Sequence, residues 1–146
     1  MTTPTLDPFI PPASAQHAST PDGELFIWQP YPGIVLEKAR GVLSLPLAEC
    51  LAGFYQQLLQ PGNHYRIFAD FEELASYTRE ARELQIDFAL GHLEALEAVH
   101  VLIASKHIAL GIGAYKHDIG DQRVHTYAER ASLVQSYEEA VRALLH

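Results

Sequence analysis

This chain of 146 residues has a single cysteine, few basic residues and no long apolar run. Each shortage excludes something. One cysteine cannot pair within its own chain, so no disulfide scaffold holds the fold, and a reducing compartment is favoured. Ten Lys and Arg against 18 Asp and Glu leave a formal net charge of -8. A nucleic-acid or anionic-membrane surface needs clustered cations to displace counterions, so neither is expected as a partner. The longest uncharged apolar stretch, Ile108 to Tyr115, is far short of the roughly 20 residues that span a bilayer. The first basic residue is Lys38 and prolines interrupt the opening segment, so no secretory leader is expected and the default location is the cytoplasm. What is present is ordinary for one globular domain: 48% of the residues are hydrophobic, enough to build a single packed core.

Residues 1–22 carry five of the nine prolines (Pro4, Pro8, Pro11, Pro12, Pro21) with Ser, Thr and Ala between them. Proline fixes φ and removes a backbone donor, so the reading is a disordered Pro-rich tail ahead of a domain over 23–146. Leu25 to Trp28 and Ile34 to Leu36, joined through Pro30-Tyr31-Pro32-Gly33, predict a β-hairpin whose second strand runs on to Gly41. Ser44 or Leu45 caps a first helix with Pro46 in its opening turn. Leu47, Leu51, Phe54 and Leu58 form its apolar stripe, and Cys50 falls on the inner side as a small core residue. Arg66 to Phe71 suits a central strand, Thr78 to Leu93 a second helix, and Val99 to Ala104 a strand buried on both faces. A helix from Lys106 to Lys116, a strand from Arg123 to Tyr127 and a last helix with Val134, Tyr137, Val141, Leu144 and Leu145 inside complete the chain. The order ββαβαβαβα is α/β, with a mainly parallel sheet and an antiparallel strand from the hairpin at one side.

A hairpin, a helix, a strand ending in Asp70, an acidic turn, and Ser76 or Thr78 at a helix start, followed by two more strand-helix units, resemble a SpoIIAA-like (STAS) domain over about Glu24 to Leu145. The stretches that carry the likeness are Ile34 to Gly41, Arg66 to Phe71, Ser76 to Arg82 and Glu138 to Arg142. The resemblance implies a non-catalytic regulatory module similar to anti-sigma factor antagonists, whose phosphorylated serine turn controls docking to a partner kinase. Here Ala75-Ser76-Tyr77-Thr78-Arg79 stands in place of that turn. The departure is closer to a divergent branch related to CRAL-TRIO domains, which implies binding of an apolar, lipid-like molecule.

Ser76 and Thr78 are the phosphoacceptor candidates, because a hydroxyl at a helix N-terminus faces free N–H groups and the positive end of the dipole. The same place makes them plain caps. Asp70 sits where open α/β sheets hold ligands. Glu72 and Glu73 read as a solvated turn, since adjacent strand side chains face opposite ways. Of the eight histidines, His100, His107, His117 and His125 have no metal-ligand spacing, although His100 and His125 lie on strands that could be neighbours. Gly111-Ile112-Gly113 lacks the rest of a dinucleotide loop. No nucleophile, base and orienter can be named together, so neither enzyme activity nor a cofactor is expected. Two functions stand: docking of a protein partner through 72–78 and the following helix, and binding of an apolar small molecule. The proposed surface is Asp70, Phe71, Leu74 and Tyr77 with Ile108, Ile112 and Tyr115. Phe26, Trp28 and Tyr31 on an edge hairpin suggest a homodimer.

Overall fold

The computed structural model describes residues 7–146. In chain order the elements are β1 (Gln16–Ser19), β2 (Gly23–Tyr31), β3 (Ile34–Leu43), α1 (Leu45–Leu58), β4 (Tyr65–Phe71), β5 (Leu74–Tyr77), α2 (Arg79–Leu90), β6 (Leu96–Ile103), α3 (Lys106–Ile119), β7 (Val124–Tyr127) and α4 (Arg130–Leu145). The seven strands form one sheet in the order β1-β2-β3-β4-β6-β7, with β5 also paired to β3. β2 runs antiparallel to both of its neighbours, β1 and β3, whereas β3, β4, β6 and β7 pair in parallel, as chain segments joined by helical crossovers do. The expected α/β architecture is present, with two short strands added.

Period-two alternation sorts the strand side chains onto two faces. Val35 and Ala39 of β3, Ile67, Ala69 and Phe71 of β4, and Val99 and Val101 of β6 pack under α1, α2 and α3. Ile34, Leu36, Phe68 and Leu102 point the other way, where Leu133 and Ala140 of α4 cover them. The sheet therefore carries three helices on one side and one on the other. Gly41 lets β3 continue past Lys38: its φ is 77°, and a Cβ there would meet the Asp22 carbonyl oxygen at 2.3 Å. Beyond Gly41, β3 leaves β4 and pairs with β5.

Several expectations need correction. The part of the supposed tail within the described residues is not a disordered segment: β1 pairs with β2, and Phe9 is fully buried among Phe68, Leu133 and Tyr137. One large aromatic side chain outweighs the local effect of the prolines; residues 1–6 of that tail lie outside the described residues. β1 covers only the Glu24–Ile27 part of β2, so Phe26 lies beneath an added strand, whereas Trp28 and Tyr31 lie beyond it. Trp28 and Tyr31 pack against the α4-side core, and Phe26 stacks on His17 at 4.5 Å. Residues Leu74–Tyr77, for which no element is expected from the sequence, form strand β5. On α1 the buried set is Leu47, Ala48, Leu51 and Tyr55. This rotates the face away from Phe54 and leaves Cys50 exposed rather than in the core. On α4, Leu144 and Leu145 are exposed, and Leu133 and Ala140 make the seam instead.

Candidate functional site

Only two charged residues among the described residues are buried, and they lie on adjacent strands facing opposite ways: Glu37 on β3 and Asp70 on β4. Glu37 shares the parity of Val35 and Ala39, so its carboxyl enters the apolar layer beneath the three helices. There it borders a cavity of about 80 Å³, floored by Ile67, Ala69, Val99 and Val101 and walled by Ala48, Leu51 and Tyr55 of α1, Leu84, Gln85 and Phe88 of α2, and Ile112 and Tyr115 of α3. Several waters would fit in that space. Among the described residues Glu37 is the only charged one on its lining. The Tyr55 hydroxyl donates to Glu37 Oε2 at 2.9 Å. Burial pushes the carboxyl up to about 7, against the pull of that hydrogen bond, so the pair stays neutral over much of the acidic range. Burial and the nearby carboxyl also drive the Tyr55 and Tyr115 hydroxyls well above the usual phenol range.

Asp70 has a different setting. Arg130 Nη2 donates to its Oδ2 at 2.8 Å, Lys38 Nζ stands 3.9 Å from the same oxygen, and the Glu72 backbone N–H donates to Oδ1 at 3.2 Å. Arg130 also lies 3.6 Å from Asp7 and 3.7 Å from Glu72, tying the N-terminal segment and the acidic turn to the start of α4. Arg130 reaches inward because the first turn of α4 lies over the carboxyl end of β4.

The seven residues proposed as one surface therefore separate. Phe71, Leu74, Tyr77, Ile108, Ile112 and Tyr115 come together around a second, smaller cavity of about 20 Å³, next to the first and sharing Phe71, Gln85, Ile112 and Tyr115 with it. Asp70 is on the opposite face of the sheet. Adjacent residues on a strand cannot share a face, so Asp70 and Phe71 could never have lined one cleft. Gly111 belongs to this cluster for packing: a Cβ would collide with the Tyr77 ring, whose hydroxyl donates to the His107 carbonyl at 3.2 Å.

Of the two hydroxyls, Thr78 is the N-cap of α2, its Oγ1 accepting from the Ala81 N–H at 3.2 Å. Ser76 lies within β5 instead of at the helix start, half-buried beside Val42 of β3. The Ser44 cap of α1 makes no side-chain hydrogen bond and its Oγ is buried without a partner. His100 and His125 are register partners on β6 and β7 with rings stacked at 4.8 Å. His100 Nδ1 is engaged by the Tyr127 hydroxyl at 2.8 Å, which also meets Ser136 Oγ at 2.8 Å. Burial, with smaller contributions from His125 and Arg66, lowers the His100 imidazole to about 4. Among the described residues no group of three or more His, Cys, Asp or Glu is placed to hold a metal ion, and no helix is long and apolar enough to cross a membrane.

The sequence reading passed over Glu37 and Tyr55. The signal was there: a carboxylate at the core-facing parity of a strand otherwise written Ile-Val-Leu, with a tyrosine on the apolar stripe of the next helix.

No protein-family model matches the chain, and no curated protein matches it. A solved structure does: an uncharacterized protein of the DUF3478 family from Shewanella loihica PV-4, with a SpoIIAA-like fold. It is similar over 81% of this chain and 96% of its own, with a TM-score of 0.61 and 12% sequence identity. This chain has a SpoIIAA-like fold. The similarity bears on the fold alone, and the SpoIIAA-like arrangement accounts for the hairpin, the parallel strands and the helix-bearing faces described above.

Proposed function

We propose that this SpoIIAA-like domain is a non-catalytic binding module that holds a small, mainly apolar molecule in the Glu37 cavity. One observation carries the reading: an ionisable side chain on a central strand is buried in an otherwise apolar cavity, with a single neutral hydrogen-bond partner. Burying a carboxyl in this way is unfavourable compared with an apolar residue of similar size. Perturbed groups of this kind concentrate at functional sites. A cavity of apolar walls with a few convergent polar groups, here Glu37, Tyr55 and Gln85, is the usual form of a small-molecule site. The test is a titration of the 15N-labelled protein with 1-hexanol. Chemical-shift changes should centre on Glu37, Tyr55 and Ile112 and disappear in Ala52→Trp, which fills the cavity from its α1 wall. Changes scattered over the surface, or unaltered in that variant, would reject the reading.

A second reading, docking of a protein partner through 72–78, is favoured by the position of β5. Its one strand partner among the described residues is β3, and Glu72, Glu73 and Ala75 beside it are exposed. Under this reading Ser76 and Thr78 are the gating hydroxyls, and Ser76→Asp should dissociate a complex while leaving hexanol binding intact.

A further inference from the structure

The two buried carboxylates are treated differently by their own chain. Asp70 has two cations within 4 Å, Lys38 and Arg130. Glu37 takes part in none of the ion pairs of the described residues. Lys38, its neighbour in sequence, points through the other face of the sheet to Asp70. Tyr55 donates to Oε2, and no other side chain or backbone N–H of the described residues donates to the carboxyl. The rings of Tyr55, Phe71, Phe88 and Tyr115 line the same cavity, with Tyr55 and Phe88 centred 6.1 Å apart at an interplanar angle of 42°. A carboxylate with aromatic faces nearby is the arrangement that recognises an organic cation: the carboxylate supplies the charge, and ring faces attract the ammonium and its attached CH2 groups.

The geometry points to an aliphatic amine as the ligand of this cavity, its ammonium on Glu37 and its hydrocarbon body along the aromatic and aliphatic walls. This rests on the small-molecule reading above and narrows it to one chemical class. A neutral alcohol would use the same walls without the ion pair, and a fatty acid would bring a second carboxyl against the first.

Protons balance as follows. A protonated amine entering beside a neutral Glu37 displaces the carboxyl proton to solvent, and at higher pH it meets a carboxylate already formed. Amine affinity therefore rises with pH until Glu37 is ionised without the ligand. Glu37 is faced by Tyr55 from α1 and Tyr115 from α3, both held neutral to high pH. Uncharged Gln85 lies on the α2 wall, with Ala69 of β4 and Ile27 of β2 as its strand neighbours. No other titratable group of the described residues lines the cavity.

The experiment is an NMR titration of the full chain with n-hexylamine, 1-hexanol and hexanoic acid at pH 6 and pH 8, repeated on Glu37→Gln and on Tyr55→Phe. At pH 8 hexylamine should bind at least tenfold more tightly than hexanol, and its affinity should rise about tenfold from pH 6 to pH 8. Glu37→Gln should remove both the preference and the pH dependence, and the dispersion of its amide spectrum shows that the variant is folded. Tyr55→Phe should keep the preference for the amine. Hexanol binding with no amine preference, or amine binding unchanged in Glu37→Gln, overturns the cation assignment and leaves the small-molecule reading standing. Failure of all three probes to reach the cavity overturns both.

Discussion

The two faces of the sheet solve the same problem in opposite ways. On the α4 face Asp70 is buried and matched by Lys38 and Arg130, and Phe9, Phe68 and Tyr137 pack together on that same face. Beneath α1, α2 and α3, Glu37 is buried with a tyrosine hydroxyl alone, beside open space. A buried ion pair that is complete locks its elements together, and removing one partner strands the other. A buried carboxyl without a counter-charge does the reverse: it weakens the fold in isolation and is poised to gain from whatever pairs with it. On the α4 face the buried charge is matched, while on the three-helix face the buried carboxyl has no counter-charge among the described residues.

The sharpest way to break this contrast is to open the α4 face. Phe9→Ala removes a fully buried ring and should cost about 4 kcal/mol in urea unfolding; an unchanged midpoint would mean that the N-terminal segment does not seal the α4 side. Next, Asp70→Asn leaves Arg130 and Lys38 facing a neutral group and should cost about 2–3 kcal/mol at pH 7 by the same measurement, reduced from a fully buried pair by the partial exposure of both cations. Glu37→Gln should act with the opposite sign. The unfolded chain releases this proton near 4.5 and the folded chain near 7. The folded state therefore holds more protons in that window, and wild-type stability falls as pH rises through it. The variant should lack this slope and be about 2 kcal/mol more stable than the wild type at pH 8. A destabilised Glu37→Gln would show that the carboxylate is structural after all. Smallest, Thr78→Ala should cost about 1 kcal/mol by removing the α2 cap. It should also loosen the cavity wall, visible as faster amide exchange over the first turn of α2.

His100 adds a second pH dependence of opposite direction on the α4 side. Its imidazole takes a proton near 6.5 when unfolded but only near 4 when folded. Stability from this group is present above 6.5 and lost as pH falls toward 4. His100→Gln should flatten thermal unfolding between pH 4.5 and 6.5 relative to the wild type, leaving the Glu37 slope exposed.

Much of this fold was legible in advance because periodicity reports burial directly. Ile34 to Leu36, Arg66 to Phe71 and Val99 to Ile103 read as strands, and the helices between them required parallel crossovers. Errors came where burial is decided at a distance. Phe9 lies among prolines, and nothing nearby in sequence announces the groove between β4 and α4 that buries it. Leu74 to Tyr77 is too short to show alternation and becomes a strand only because Gly41 lets β3 run on beside it. Cys50 is exposed and Phe54 half-buried, because the face of α1 turned to the sheet carries Tyr55 instead.

The sequence by itself determined the α/β class, the placement of the main strands and helices, and the acidic surface, since these follow from local patterns of apolar and charged residues. The tertiary structure alone decided the meaning of the two carboxylates. Glu37 and Asp70 are both acidic residues in strands, and no local pattern says that Lys38 and Arg130 converge on one while the other meets only Tyr55. Pairing across a sheet and from a helix 60 residues away is set by topology, and in a low-dielectric interior that pairing is what separates a structural charge from an available one.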